Sequence, residues 1–166
     1  MTQPTAVDGT ISATEITCGT TGVVPAVVTI EGKGGKADYT YSFNGNTNYT
    51  TTNTFPTSTG GTITAYVKDA NGCEAGPFSI EVLALKQMGG ITITDNGYDC
   101  STTPPGGHVN IAAIKNGVSA PIRYQIISGP AGYNTATNAD GEFKSLTPGL
   151  YTFQATDEKT GCFVTQ

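Results

Sequence analysis

The sequence contains no tryptophan and one histidine, and only 13% of its 166 residues are Asp, Glu, Lys or Arg. A nucleophile activated by a histidine base would depend on His108 alone, because the chain offers no second imidazole. The neighbouring carboxylates Asp157 and Glu158 are expected to be solvated rather than catalytic. The sequence therefore predicts a protein that is not an enzyme.

The chain also lacks a cluster of basic residues and a long apolar run. Its net charge is −5, from thirteen acidic and eight basic residues that are scattered along the sequence. Without a basic patch to neutralise phosphates, nucleic acid is not an expected partner. No apolar segment reaches the roughly 18 residues that would indicate a membrane span, and no export signal is recognisable, so we expect such a signal to lie outside this sequence.

The residues that are abundant favour an all-β protein. Thr and Tyr suit pleated, half-buried strands, whereas the 22 glycines, 9 prolines and many asparagines suit the turns between strands. No segment shows a helical period of apolar residues. Short alternating segments separated by Gly and Asn turns predict Greek-key sandwiches similar to immunoglobulin-like domains.

An internal repeat divides the chain. Residues 60–73 and 148–162 both read as a strand, an acidic turn and a Gly-Cys pair, with one extra turn residue in the second copy. Gly61 matches Gly149, and Asp69 matches Asp157. An internal repeat of this length indicates an array of small domains.

We therefore predict two tandem immunoglobulin-like domains, 1–85 and 86–166, the second with a truncated last strand after Cys162. A short linker should keep neighbouring repeats in contact, with Leu85 and Met88 as the candidate residues. Alternatively, Leu85 completes the first core and Met88 is exposed.

Alternating apolar residues predict the core stripes of each repeat. In the first repeat they are Val24, Ala26, Val28 and Ile30, then Tyr39, Tyr41 and Phe43, then Ile63, Ala65 and Val67, with the opening strand placed at Ser12–Cys18. In the second repeat they are Val109, Ile111 and Ala113, then Ile122, Tyr124 and Ile126, then Tyr151, Phe153 and Ala155.

The four cysteines lie one near the start and one near the end of each repeat. Four cysteines allow three pairings, and the simplest makes each repeat self-contained through Cys18–Cys73 and Cys100–Cys162. Such bonds would close loops of 55 and 62 residues, obtained as 73 − 18 and 162 − 100. They would place the protein outside the cytoplasm, and the alternative is four reduced, buried cysteines in a cytosolic protein. Zinc is disfavoured because no Cys-x-x-Cys spacing occurs.

The acidic turn suggests one metal site. Asp69 and Asn71 carry oxygen ligands at alternate positions, a pattern that calcium accepts, although the segment lacks the length and the bidentate glutamate of a full calcium loop. The alternative is a turn closed by a hydrogen bond from the aspartate side chain. We expect no other cofactor.

A polar and aromatic segment is the candidate sugar-binding region, because exposed rings stack on pyranose faces and amides bond to hydroxyls. Its members are Tyr39, Tyr41, Asn44, Asn46, Asn48 and Tyr49. Alternation places Tyr39 and Tyr41 on the same side as Phe43, which favours a core position for these two rings.

The Asp turn, the Gly-Cys pair and an opening Cys segment resemble the SprB-type repeat of very large surface adhesins of gliding Bacteroidetes. The matching segments of the first repeat are Ile16-Thr17-Cys18, Tyr39-Thr40-Tyr41-Ser42-Phe43 and Asp69-Ala70-Asn71-Gly72-Cys73. Those of the second repeat are Cys100, Pro148-Gly149-Leu150-Tyr151-Thr152-Phe153 and Gly161-Cys162.

The resemblance implies a mechanical and adhesive role at the cell surface, in which repeats supply length, stiffness and display for adhesion and gliding. The expected partners are neighbouring repeats of the same chain and surface polysaccharide, and the two repeats alone should be monomeric. The competing hypothesis is a carbohydrate-binding or spacer module of a secreted polysaccharide-degrading enzyme.

Overall fold

The computed structural model describes residues 5–166, and the regular structure in this range consists of strands alone. The first seven are β1 (Asp8–Ala13), β2 (Thr17–Gly19), β3 (Gly22–Val24), β4 (Ala26–Lys33), β5 (Thr40–Ser42), β6 (Thr54–Thr57) and β7 (Gly61–Lys68). The others are β8 (Glu74–Val82), β9 (Gly90–Asp99), β10 (Gly106–Ile114), β11 (Ile122–Ser128), β12 (Glu142–Leu146), β13 (Thr152–Asp157) and β14 (Phe163–Thr165).

The chain divides into two compact units, Met1–Leu85 and Lys86–Gln166. The first unit contains the antiparallel sheets β1-β4-β6 and β5-β7-β8 and a separate hairpin, β2-β3. The second contains the antiparallel sheets β9-β10-β12 and β11-β13-β14. The all-β class predicted from composition is therefore confirmed.

Strand pairing shows that the sequence repeat is also a structural repeat. Ile11 of β1 faces Ile30 of β4, and Ile93 of β9 faces Ile111 of β10 in the same way. The strands that follow also correspond, because β5 pairs with β7 as β11 pairs with β13.

An isolated β-bridge outside the main strands occurs at a corresponding place in both units. In the first unit it joins Tyr41 to Thr50, and in the second it joins Tyr124 to Asn138. Each unit is thus built from two three-stranded sheets with the same strand order.

Alternation along β4 explains how the first core forms. Ala26, Val28 and Ile30 are fully buried, whereas Val27 between them is 38% exposed. Burial of each valine or isoleucine side chain contributes about 1.5–3 kcal/mol. Across the second unit, one cluster joins residues of both sheets, including Ile111 and Phe143 from one and Ile126 and Phe153 from the other.

Most predicted core positions are confirmed as buried or as packed against a core cluster. The prediction that Val24 lies in the core is wrong. Val24 is 46% exposed, because it belongs to the β2-β3 hairpin, which forms a sheet of its own. Leu85 packs against the first core, as the alternative predicted, but Met88 is buried in the core of the second unit and is not exposed.

The predicted opening strand, Ser12–Cys18, is in fact two strands. The pairing of β1 with β4 ends at Ala13, and β2 begins at Thr17. At the break, the Thr14 N–H still donates to the Val27 carbonyl (3.1 Å), but the Val27 N–H donates to the side-chain Oγ1 of Thr14 (2.8 Å). A side chain that competes for backbone groups in this way ends a regular ladder.

The last strands of the two units differ in length from each other. β8 has nine residues and β14 has three. Both pair antiparallel with the strand that precedes the Gly-Cys pair.

Candidate functional site: the aspartate turns and their cysteines

The turn after β7 is organised by the buried carboxylate of Asp69. One carboxylate oxygen accepts hydrogen bonds from the backbone N–H groups of Asn71 (2.9 Å) and Cys73 (2.8 Å). The other accepts from the backbone N–H of Lys36 (3.0 Å), in the loop between β4 and β5. The side chain therefore closes its own turn and fastens it to a neighbouring loop.

The turn after β13 repeats this construction around Asp157. Its carboxylate accepts from the backbone N–H groups of Lys159 (2.8 Å) and Thr160 (3.3 Å), and from the Thr160 hydroxyl (2.8 Å). The neighbouring loop is again attached, here by a bond from the Glu158 N–H to the Pro121 carbonyl (3.0 Å).

Glycine precedes the cysteine in both turns for a conformational reason. Gly72 and Gly161 have φ angles of 84° and 74°, which side chains with a Cβ rarely adopt. Each turn then closes with a bond from the aspartate N–H to the cysteine carbonyl, of 2.9 Å to Cys73 and 2.8 Å to Cys162. The Asp to Gly-Cys spacing is thus a turn motif.

This geometry bears on the calcium hypothesis for Asp69 and Asn71. Both Asp69 oxygens already accept backbone hydrogen bonds, and Asn71 contributes its N–H to one of them. Among the described residues, no group of three or more His, Cys, Asp and Glu side chains is arranged to hold a metal ion. The contacts match the hydrogen-bonded turn.

The hydrogen bonds predict how stability depends on pH. The Lys36 N–H, with further help from Cys73, Asn71 and Gly72, lowers the pKa of Asp69, and burial opposes this. A lowered pKa means that the stabilisation is complete above the unfolded value of about 3.9 and is lost as pH falls through the folded value. We expect Asp69→Asn to be less stable than wild type at about pH 7, with the difference in melting temperature shrinking towards about pH 2.5. A difference that stays constant over this range would contradict the assignment.

The predicted disulfides Cys18–Cys73 and Cys100–Cys162 are not formed. Cys73 and Cys100 carry exposed free thiols, whereas Cys18 and Cys162 are disulfide-bonded. The four cysteines therefore fall into two states, and the prediction that each repeat is closed by its own bond is wrong.

The fold explains why the simplest pairing fails. Cys18 lies in the β2-β3 hairpin, whose ladder involves no other strand of the first unit. Cys73 lies instead in the turn that joins β7 to β8, in the sheet β5-β7-β8. Position near the two ends of a repeat does not bring two side chains together.

The candidate sugar-binding segment has little open aromatic surface. Tyr39 and Tyr41 pack against the first core, as alternation predicted. The Lys68 ammonium lies 4.1 Å from the centroid of the Tyr49 ring, and the buried Tyr49 hydroxyl has no hydrogen-bond partner among residues 5–166. Burial, with a smaller effect of the Glu74 charge, raises the pKa of Tyr49. The ring of Tyr49 is thus partly covered.

A polar groove in the second unit was not anticipated from the sequence. It has a volume of about 400 Å³ and is lined by Ile122, Arg123, Thr137, Asn138, Ala139 and Glu158. Arg123 and Glu158 form an ion pair, with Nε of Arg123 donating at 2.7 Å. Arg123 and Glu158 are 35 residues apart, so no local sequence motif predicts their contact. Only the pairing of β11 with β13 brings them together.

No protein-family model, curated protein or solved structure matches this chain. Within residues 5–166, no helix is long and apolar enough to cross a membrane. The assignment of function consequently depends on the repeated geometry and on the resemblance of the motifs.

Proposed function

We propose that the chain consists of two tandem immunoglobulin-like repeats of a large cell-surface adhesin of the SprB type. In this proposal the repeats give a filament its length and stiffness and display it for adhesion and gliding. The observation that carries the proposal is the structural repeat, in which both units have the same strand order and the same aspartate turn.

The strand order supports the immunoglobulin-like assignment. With the β2-β3 hairpin set aside, the first, second and fourth strands of each unit share one antiparallel sheet, and the third, fifth and sixth share the other. This is the order of strands A, B and E and of strands C, F and G in such sandwiches. A unit of this kind has its own core, so many copies can follow one another along a chain.

The side-chain chemistry is consistent with a structural role. The buried polar groups Asp69 and Asp157 are used to close turns, and the five ion pairs among the described residues lie at least partly exposed. Disulfide-bonded Cys18 and Cys162 are compatible with export to an oxidising compartment.

The second candidate, an accessory module of a secreted polysaccharide-degrading enzyme, is favoured by one observation. The groove at Arg123 and Asn138 offers charged and amide groups to a polar ligand. It lacks an aromatic ring among its lining residues, however, and Tyr49, the aromatic candidate, lies in the other unit.

Surface labelling tests the proposal. Antibody fragments raised against the purified chain are applied to intact cells of the source organism, before and after mild protease treatment. We expect labelling of intact cells that protease removes, and slower attachment and gliding of cells coated with the fragments. Labelling that requires permeabilised cells would overturn the surface location. Antigen found only in the medium, bound to an insoluble polysaccharide, would favour the accessory module.

A further inference from the structure

The polar groove of the second unit lies on a backbone frame that both units share. One of its lining residues, Asn138, belongs to the isolated β-bridge, and Thr50 is the counterpart in the first unit. Another, Glu158, donates its N–H to the Pro121 carbonyl (3.0 Å), and its counterpart Ala70 donates to the matching loop of the first unit (3.2 Å). A difference between the units at this place therefore arises from the side chains.

Two charged side chains are present on the frame of the second unit alone. Arg123 stands one residue before the bridge residue of β11, and Thr40 stands at the same place in β5. Glu158 and Ala70 each follow the turn aspartate directly. The second unit thus has a guanidinium and a carboxylate where the first has a hydroxyl and a methyl group. Function generally resides in such groups added to a common fold.

A third difference concerns the size of a side chain. The residue before the other end of the bridge is Thr137 in the second unit and Tyr49 in the first. Thr137 lines the groove, whose volume is about 400 Å³. Small-molecule sites have volumes of about 300–1,000 Å³, so the groove is large enough for a small ligand.

The ion pair in the groove keeps hydrogen-bonding capacity. Nε and Nη2 of Arg123 both donate to the same oxygen of Glu158, Oε1. Within residues 5–166, Nη1 of Arg123 and Oε2 of Glu158 make no hydrogen bond. The two side chains are 56% and 35% exposed. The pair can therefore donate to a ligand and accept from it at the same time.

The wall of the groove at Asn138 is fixed by hydrogen bonds. Its Nδ2 donates to the Glu142 carbonyl (3.0 Å), and its Oδ1 accepts from the Gly141 N–H (2.9 Å). The bridge uses both backbone groups of Tyr124, at 2.8 and 2.9 Å. A peptide strand consequently cannot add to β11 at Tyr124, which favours a compact ligand over an extended one.

We propose that this groove binds an N-acetylated amino sugar through its acetamido group. That group has a carbonyl acceptor, an N–H donor and a methyl group. Arg123 donates to the carbonyl and Glu158 accepts from the N–H, while the methyl group contacts the apolar lining residues Ile122 and Ala139. Because no aromatic ring is among the lining residues, recognition depends on this substituent and not on stacking against the sugar ring.

This binding is a function in addition to the length and stiffness proposed for the repeats. It names a ligand for the groove on which the accessory-module alternative relies, but it requires neither that alternative nor a surface location. Purified protein and a free sugar are sufficient for the test. A failure to bind would leave the surface-labelling result unaffected, and the reverse also holds.

A pair of sugars tests the proposal. Methyl N-acetyl-β-glucosaminide is titrated into the isotope-labelled chain and followed by NMR, and methyl β-glucoside is the matched probe without the acetamido group. We expect shifts at Arg123, Asn138 and Glu158 and a Kd of roughly 1 mM for a ligand of about sixteen non-hydrogen atoms. The glucoside should bind at least about tenfold more weakly, because it loses two hydrogen bonds.

Two substitutions introduce the residues of the first unit, Arg123→Thr and Glu158→Ala. Both side chains are partly exposed, so the variants are expected to fold, which circular dichroism checks. Each should raise the Kd for the acetamido sugar by about tenfold. Lys144→Ala is the matched control, because it breaks another exposed ion pair of the same unit, outside the groove, and should leave the Kd unchanged.

Three results would overturn the proposal. The first is equal affinity for the two sugars, or no shift with either at concentrations well above the expected Kd. The second is an unchanged Kd in Arg123→Thr and Glu158→Ala, which would place the sugar elsewhere on the protein. The third is tighter binding of N-acetylglycine methylamide than of the sugar, which would identify a peptide as the ligand.

Discussion

Replacing Phe153 by alanine is expected to destabilise the second unit by about 3–5 kcal/mol. Phe153 is 4% exposed, and its ring lies 5.3 Å from that of Phe143 and 6.2 Å from that of Tyr151. Truncation would therefore leave a cavity and remove two aromatic contacts, of which the one with Phe143 of β12 joins the two sheets. Because small domains have a total stability of about 5–15 kcal/mol, the change should bring the second unit close to unfolding. Urea denaturation followed by circular dichroism measures it.

Leu150→Ala is the matched control, three residues earlier in the chain. Leu150 is 89% exposed, so its truncation should change the free energy of unfolding by no more than about 0.5 kcal/mol. Equal effects of the two substitutions would contradict the location of the core. Amide hydrogen exchange adds a local test, since Phe153→Ala should reduce protection in β11 and β13 most strongly.

Alternation of apolar residues predicted the core because one face of each sheet is covered by the opposite sheet. In β13, Phe153 and Ala155 are buried as expected, and in β11, Ile122, Tyr124 and Ile126 are buried as well. The side-chain period of two residues fixes which face turns inward, so the sequence alone carries this information.

The ends of the strands were predicted less well than the core, because they depend on hydrogen bonds made by particular side chains. The opening strand of the first repeat is interrupted where Thr14 bonds to Val27. The equivalent strand of the second repeat, β9, runs without a break from Gly90 to Asp99, with a register shift between Gly107 and Val109 of β10. A bulge keeps the ladder running in one repeat, and a break divides it in the other.

The cysteine pairing could not be predicted from the sequence for a different reason. Four cysteines allow three pairings, and the choice among them depends on the distances between the cysteines in the fold, which their spacing in the sequence does not determine. The turn motif itself was readable: Asp69 and Asp157 were matched as one repeated position, and both organise their turns through backbone N–H groups. The groove at Arg123 and Glu158 required the strand pairing.

Asp157→Ala is expected to lower the free energy of unfolding of the second unit by about 2–3 kcal/mol. The carboxylate is 2% exposed and accepts from the Lys159 N–H, the Thr160 N–H and the Thr160 hydroxyl. Each hydrogen bond contributes about 1 kcal/mol net, and donors left unpaired in a buried turn add to the cost. The turn also bears Cys162, so the variant should make that disulfide easier to reduce. Thermal unfolding and titration with dithiothreitol measure the two effects.

Asp140→Ala is the matched control, because it removes an aspartate that closes an exposed turn rather than a buried one. Asp140 is exposed and accepts one hydrogen bond, from the Glu142 N–H at 3.0 Å. Its removal should cost less than about 1 kcal/mol, because water can satisfy the exposed donor. Asp157→Asn should fall between the two, since the amide oxygen can still accept from Lys159 but the second carboxylate oxygen is lost. If Asp157→Ala is no more destabilising than Asp140→Ala, the aspartate does not organise the turn, and the Asp to Gly-Cys spacing needs another explanation.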